Sequence, residues 1–341
     1  MSVSNEALWD EQRTSRNKLW KRAVVIFSIL IFSLFLLLLW IAQPLAFTAN
    51  IKSSQVKIDP NKLEMHVRML SDELYPRNYV DLDNLNKAAE YIKGEFQKTG
   101  GKVSEQHFTV NGSDYRNICL ELGPETADRV VVGAHYDSAN LTHGADDNAS
   151  GIAGLIELAN ALAVFPPNSK VEFVAYSLEE PPFFGSQQMG SFVHAGSLRD
   201  RQIPVRLMVC LEMIGYFSDE PNSQQFPVSI GKLIYPGTGN FIAVVGDLQN
   251  ALTVRKFKAE MTDSTSLPVY SINVPAFVPG VDFSDHRNYW TFGYDALMIT
   301  DSAFYRNKHY HNIDDTYEKL DYLRMAEVVS ATYSAVVSAT N

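Results

Sequence analysis

Residues Val130–Gly154, VVVGAHYDSANLTHGADDNASGIAG, constrain this 341-residue chain more than any other stretch. Val130–Gly133 is an apolar run that breaks at His135, Tyr136 and Asp137. A short polar loop then leads to Gly144-Ala145-Asp146-Asp147-Asn148, and helical spacing begins near Ser150. Physically this is a buried strand, a loop rich in metal-ligand side chains, and a helix. In open α/β sheets, ligands gather in the crevice at the carboxyl ends of the strands. A chain built this way is expected to bring further polar groups to the ends of other strands.

The remaining segments fit that expectation. Leu63–Leu74 and Leu82–Thr99 have helical spacing, the second closed by Gly100-Gly101. Val103–Val110 and Asn117–Leu122 alternate like strands around an Asn111-Gly112 turn. Gly151–Val164 reads as a helix stopped by Pro166-Pro167. Val171–Leu178 reads as a buried strand running into Glu179-Glu180, Gly185–Leu198 as a helix, and Val205–Ile214 as a central strand with Glu212 inside it. Ser218–Gly239 is loop-rich and suits a pocket rim. Phe241–Gly246 reads as a strand, Leu248–Glu260 as a helix, Pro275–Ser284 as irregular, and Ala296–Thr300 as a last strand. Ala303–Asp315 is a polar loop, and a helix follows from Glu318 with a box-like start, Asp315-x-x-Glu318. Strands alternating with helices predict an α/β fold with a mostly parallel central sheet, mixed because of the early hairpin.

Ahead of this body lies Ala23–Ala42, AVVIFSILIFSLFLLLLWIA, uncharged and long enough to cross a bilayer as a helix. Trp20 and Trp40 flank it, and five basic residues precede it. The positive-inside bias places the N-terminus in the cytoplasm and the body in the periplasm or outside the cell. The competing reading is a cleaved signal peptide, which the length of the run and the lack of a small-x-small site disfavour. The expected plan is a tail (1–22), a transmembrane signal-anchor (23–42), a linker (43–60) and one catalytic domain (61–341). Net charge is −10, and the body is more acidic than the tail, which argues against a nucleic-acid partner. Cys119 and Cys210 each sit in an apolar run and read as buried free thiols.

An acid or histidine recurs at or just after a predicted strand end: His135, Asp147, Glu180, Glu212 and His311. Imidazole nitrogen and carboxylate oxygen suit zinc, manganese or cobalt. Singly, each has a plainer explanation. His135 would be a satisfied core histidine, Asp146-Asp147-Asn148 turn and cap chemistry, and Glu179-Glu180 a solvated strand end. Glu212 is harder to dismiss, because an ionised carboxylate within apolar sequence is costly unless paired or metal-bound.

Six pieces in order carry a resemblance: AHYDS (134–138), GADDNASG (144–151), LEE followed by GS (178–180, 185–186), LEMIGY (211–216), SDH (284–286) and TDSAFYRN–HYHNIDDT (300–316). Over about residues 60–340 the chain resembles the co-catalytic di-zinc exopeptidases, the group of bacterial leucyl aminopeptidases, the vacuolar aminopeptidase of yeast and glutamate carboxypeptidase. The resemblance implies a three-layer fold, a peptide substrate and two divalent ions, zinc foremost. It implies Asp147 as the bridging carboxylate, His135 and Glu212 on one ion, and Glu180 and His311 on the other. Glu179 would be the general base, Tyr310 would stabilise the tetrahedral intermediate, and Asp137 would orient His135. Asp285 would support the site or cap a helix. The peptide between Asp146 and Asp147 would be cis. Many members have Asp where this chain has Glu212.

The main expectation is a membrane-anchored aminopeptidase. A one-zinc glutaminyl cyclase, which shares the fold, and a non-catalytic relative are the rivals; the filled ligand set and the DDNASG loop disfavour both. Oligomeric state is open. His66, His107 and His194 are expected at the surface. His143, Arg306 and Asn307 are candidates for the pocket edge or for plain loop roles.

Overall fold

The computed structural model describes residues 5–42, 56–229 and 231–341. Most of the expected linker, 43–60, lies outside them. The chain divides into two units, Met1–Ala42 and Gln43–Asn341. The first is one helix, α1 (Asn5–Ala42). It continues without a break through the boundary expected at 22/23. Most of its apolar side chains are exposed. Twenty residues at 1.5 Å each make about 30 Å, the thickness of a bilayer's hydrocarbon core.

The second unit is built on an eight-stranded sheet, β1 (Lys102–Val110), β2 (Ser113–Leu122), β3 (Arg129–His135), β4 (Lys170–Tyr176), β5 (Val205–Leu211), β6 (Ile242–Gly246), β7 (Val269–Asn273) and β8 (Ala296–Thr300). Their order is β1-β2-β4-β3-β5-β8-β6-β7. The central four, β4-β3-β5-β8, are parallel to one another. The β1–β2 hairpin joins β4 antiparallel, β6 runs antiparallel to β8, and β7 is parallel to β6. This is the mostly parallel mixed sheet that the alternating pattern implied.

Alternation within the strands builds the layers. Val130, Val132, Phe173, Val209 and Ile299 point into one core with helices α2 (Pro60–Arg68), α3 (Leu82–Lys98), α4 (Gly151–Val164), α7 (Ala251–Thr262) and α9 (Tyr322–Ala339). Val131, Val174, Met208, Cys210 and Met298 point the other way, against α5 (Gly190–Asp200) and α8 (His286–Thr291). A single turn, α6 (Gly231–Ile234), lies in the long loop before β6.

Several expectations need correction. Helix α2 ends at Arg68 and loosens into a wider turn, Met69–Glu73. Helix α5 starts at Gly190, not Gly185, whose φ of +75° takes the chain out of helical space. Strand β7 and helix α8 had no clear periodicity to announce them. Asp315 does not cap the last helix: α9 begins at Tyr322, with Asp321 accepting from the Arg324 amide. His66 and His194 are buried, not superficial. His66 is 3.4 Å from Glu157 and His194 3.3 Å from Glu172, so a partner makes each burial tolerable. Both cysteines are free and buried.

Candidate metal centre

Five chain segments converge at the carboxyl ends of the parallel strands. His135 is the last residue of β3. Glu179 and Glu180 follow β4. Glu212 is the first residue beyond β5, a correction to its expected place inside the strand. Its amide still bonds to the Ile299 carbonyl at 3.0 Å, continuing the ladder, and Met213 then turns out with φ +50°. The strand therefore stops where its carboxylate can leave the apolar layer. Leu178 and His311 also hold left-handed φ, +61° and +54°. Such backbone is held only where the surroundings over-determine it.

Asp147 lies at the centre. Its Oδ1 is 3.3 Å from His135 Nε2 and its Oδ2 is 3.2 Å from His311 Nε2. His135 Nε2 is also 3.3 Å from Glu212 Oε2, and His311 Nε2 is 3.1 Å from Glu180 Oε2. Two sets of three donors result, His135/Asp147/Glu212 and Asp147/Glu180/His311, each within 4.8 Å and sharing Asp147. Glu179 stands beside them, its Oε2 3.8 Å from His135 Nε2.

The supporting contacts are specific. Asp137 accepts from the amides of both Glu179 and Glu180, at 3.2 and 3.0 Å. Its carbonyl oxygen lies 3.2 Å from His135 Nδ1. A carbonyl can only accept, so Nδ1 carries the proton and Nε2 presents its lone pair to the centre. Ser284 donates to Glu212 Oε2 at 2.6 Å. Asp315 accepts from the amides of Asp146 and Asp147. Asn148 accepts from the amides of Gly151 and Met213, tying the ligand loop to the end of β5. A Cβ on Gly151 would lie 2.5 Å from the Leu211 carbonyl oxygen, so only glycine allows this approach. Arg77, fully buried, donates to the carbonyls of Leu70, Tyr136, His143 and Gly144 and clamps the loop from below. The cis peptide is Asp147–Asn148, one residue beyond the expected place.

The electrostatics call for cations. Asp137, Asp147, Glu179, Glu180 and Glu212 are all at most 6% exposed. Burial drives the Glu179 carboxyl well above its ordinary range; His135 opposes this, while Glu212 and Glu180 add to it. Burial, aided by the Asp147 charge, pushes Glu180 up to about 8. Burial disfavours a charged His311, yet Asp147 and Glu180 outweigh it and raise the imidazole to about 10. His135 Nε2 and Glu180 Oε1 are buried without a hydrogen-bond partner. Orphaned donors of nitrogen and carboxylate type, arranged around a shared carboxylate, fit divalent zinc.

Other candidates separate clearly. Tyr310 stacks on His311, with ring centroids 3.9 Å apart, and lines the same cavity as Glu212. Asp285 is fully buried without a hydrogen bond to any ligand residue or a cap bond to α8, and burial pushes it up to about 7. Arg306 is committed to Gln224 and the Tyr216 carbonyl, and Asn307 to Asp146, so both hold the loop. His143 faces the Ser71 carbonyl and stacks on Tyr75. Sequence reasoning passed over Ser284, Asp315, Arg77 and Asn148. Ser284 and Asn148 lie inside the recognisable SDH and DDNASG pieces, whereas Arg77 stands in a loop with no periodic cue.

Comparison with known proteins agrees with this geometry. Residues 117–336 match the model of peptidase family M28. The Escherichia coli protein YfbL is 46% identical over 89% of this chain and 96% of its own length. Leucine aminopeptidase 1 of Fusarium vanettenii is 29% identical over 84% of this chain and 70% of its own. Among solved structures, LapB of Legionella pneumophila superposes with a TM-score of 0.65 at 22% identity, over 88% of this chain and 79% of that one. A glutaminyl cyclase of Bacteroides thetaiotaomicron gives 0.64 at 16%, over 84% and 99%. The chain belongs to peptidase family M28, a family of co-catalytic zinc exopeptidases.

Proposed function

We propose that this protein is a two-zinc aminopeptidase, anchored in a membrane by α1, that removes N-terminal residues from peptides. The observation that carries the reading is Asp147, whose two oxygens face two separate sets of donors. His135, Asp147 and Glu212 would hold one ion, and Asp147, Glu180 and His311 the other. When bound, the pair supplies Lewis acidity that acidifies water and polarises the scissile carbonyl.

The chain's own residues do the rest. Asp137 fixes the backbone of Glu179 and Glu180 together, so the two carboxylates keep their relative positions. Glu180 would be occupied as an ion ligand. Glu179 is free to accept a proton from the attacking water and return it to the leaving amine. The Tyr310 hydroxyl, kept protonated by burial and by the surrounding acids, donates to the developing oxyanion. Among the described residues, the cavity beside Glu212 has no Lys or Arg in its lining. A free substrate amine suits the Glu212 end of that cavity, whereas a C-terminal carboxylate would find no Lys or Arg in the described lining.

The test is zinc content together with release of free amino acid from an unblocked tripeptide, for wild type and Glu179→Gln. About two zinc ions per chain are expected in both. The rate of the variant should fall between about 100- and 10,000-fold. One zinc, no peptide hydrolysis and ring closure of an N-terminal glutamine would instead make the protein a cyclase.

A further inference from the structure

Apart from the candidate metal centre, one more set of metal-ligand side chains gathers among the described residues. Cys119 of β2, Glu172 of β4 and His194 of α5 bring a sulfur, an oxygen and a nitrogen within 4.8 Å of one another. They lie on the α5 side of the sheet, where Cys119 shares a core with Val174, Tyr176 and Tyr289. None of the three is more than 4% exposed. The register explains the meeting. Cys119 pairs with Val174 and Glu121 with Glu172, so Cys119 and Glu172 sit diagonally across two antiparallel strands. Helix α5 lays His194 over them. Glu172 lies four residues before the end of β4, so this cluster sits about 13 Å back along the strand from the ends that carry the candidate ligands.

The distances suit an ion better than a direct bond. A charge-assisted N–H···O bond closes to about 2.7–2.9 Å. Arg129 does close on one oxygen of Glu172, at 2.8 Å, while His194 Nε2 stays 3.3 Å from the other. Zinc about 2.0–2.2 Å from a nitrogen and an oxygen, with a tetrahedral angle between them, holds the two about 3.3–3.5 Å apart. The histidine–carboxylate pairs of the candidate metal centre stand at 3.1 to 3.3 Å. His66 and Glu157 are spaced alike, at 3.4 Å, but no third donor joins them among the described residues. The surroundings fit as well. A ligating histidine gives its other ring proton to a fixed partner, and a ligating carboxylate is itself hydrogen-bonded. His194 Nδ1 lies 2.7 Å from the Tyr289 hydroxyl, which lies 2.7 Å from that of Tyr176. With Nδ1 donating to Tyr289, Nε2 turns its lone pair towards Cys119 and Glu172. Arg129 holds the far oxygen of Glu172 and is itself steadied by Glu121 at 3.3 Å.

We propose that Cys119, Glu172 and His194 form a further zinc site, separate from the candidate metal centre, that fastens α5 to β2 and β4. As the ion enters, the Cys119 thiol releases its proton to solvent, and the thiolate, the Glu172 carboxylate and the neutral imidazole bind it. Three protein donors leave the fourth position of the tetrahedron to water. Burial, aided by the Glu172 charge, pushes the Cys119 thiol well above its ordinary range. Displacing that proton beside the Arg129 charge weakens the site, so it fills after the two-ion centre. It stands whether or not that centre hydrolyses peptides.

Cobalt(II) is the probe. A thiolate-to-cobalt charge-transfer band needs a sulfur ligand, and the candidate metal centre offers only nitrogen and oxygen donors. Metal-free full chain in detergent is titrated with cobalt under reducing conditions, for wild type, Cys119→Ser and Cys210→Ser. Wild type should take up about three ions, with the band growing in with the last of them. Cys119→Ser should stop at about two and lose the band, while Cys210→Ser should keep it. Excess zinc should erase it. No band in wild type at saturating cobalt, a band that survives Cys119→Ser, or one that excess zinc leaves in place would overturn the proposal. The chain has two cysteines. A band kept in Cys210→Ser therefore assigns the thiolate to Cys119 even if Cys119→Ser fails to fold, and a band lost in folded Cys210→Ser assigns it to Cys210 and overturns the site.

Discussion

At the scale of single residues, ligand chemistry was legible and its support was not. His135, Asp147, Glu180 and Glu212 announce themselves because acids and histidines at strand ends are conspicuous against apolar runs. His311, in a polar loop, became visible only through its place in a longer pattern. Ser284 and Asp315 act through contacts that no local spacing encodes, since their partners lie 72 and 168–169 residues away. Ser284 yields a direct prediction. Its hydroxyl fixes Glu212 Oε2, so Ser284→Ala should lower zinc affinity about 10- to 100-fold. Titrating zinc-depleted protein in buffered metal and reading return of activity checks this, and an unchanged midpoint would sink the role given to Ser284. Asp285, its more conspicuous neighbour, makes no hydrogen bond to any candidate ligand.

At the scale of elements, strands with continuous apolar runs were read within two or three residues, because burial on both faces leaves a strong mark. Strand β7 and helix α8 were not, since each is five or six residues long, too short for a period to stand out. The pairing of α5 with β4 was equally hidden. It rests on Glu172, which lies 3.3 Å from His194 and 2.8 Å from Arg129. Burial alone would raise the Glu172 carboxyl, but His194 and Arg129 overcome it and hold it down at about 2. A depressed acid stabilises the fold above its unfolded value, near 4.5, and that contribution is lost as pH falls towards 2. Glu172→Gln should therefore cost about 3 kcal/mol at pH 7, with the gap to wild type closing between pH 4.5 and 2. Urea unfolding of the second unit with chelator present throughout measures this; a gap that stays constant to pH 2 would contradict it.

At the scale of the whole molecule, the sequence separated an apolar N-terminal segment from an acidic α/β body, but gave no sign that the helix reaches back to Asn5. The exposed apolar surface of α1 predicts how the protein partitions. The full chain should sediment with membranes and resist extraction by high salt. Removal of residues 1–42 should release a body that still hydrolyses peptides. N-terminal sequencing of the mature protein checks the competing outcome, since a chain that begins beyond Ala42 would mean a cleaved leader. Within that body the sheet reverses direction between β8 and β6. The candidate ion ligands come from the ends of β3, β4 and β5 and from two loops, whereas most of the cavity floor comes from β6, β7 and β8. The candidate ligands and most of the cavity floor thus occupy different strands of one sheet. Substitutions in that floor can therefore reshape the cavity without moving the strand ends that carry the candidate ligands.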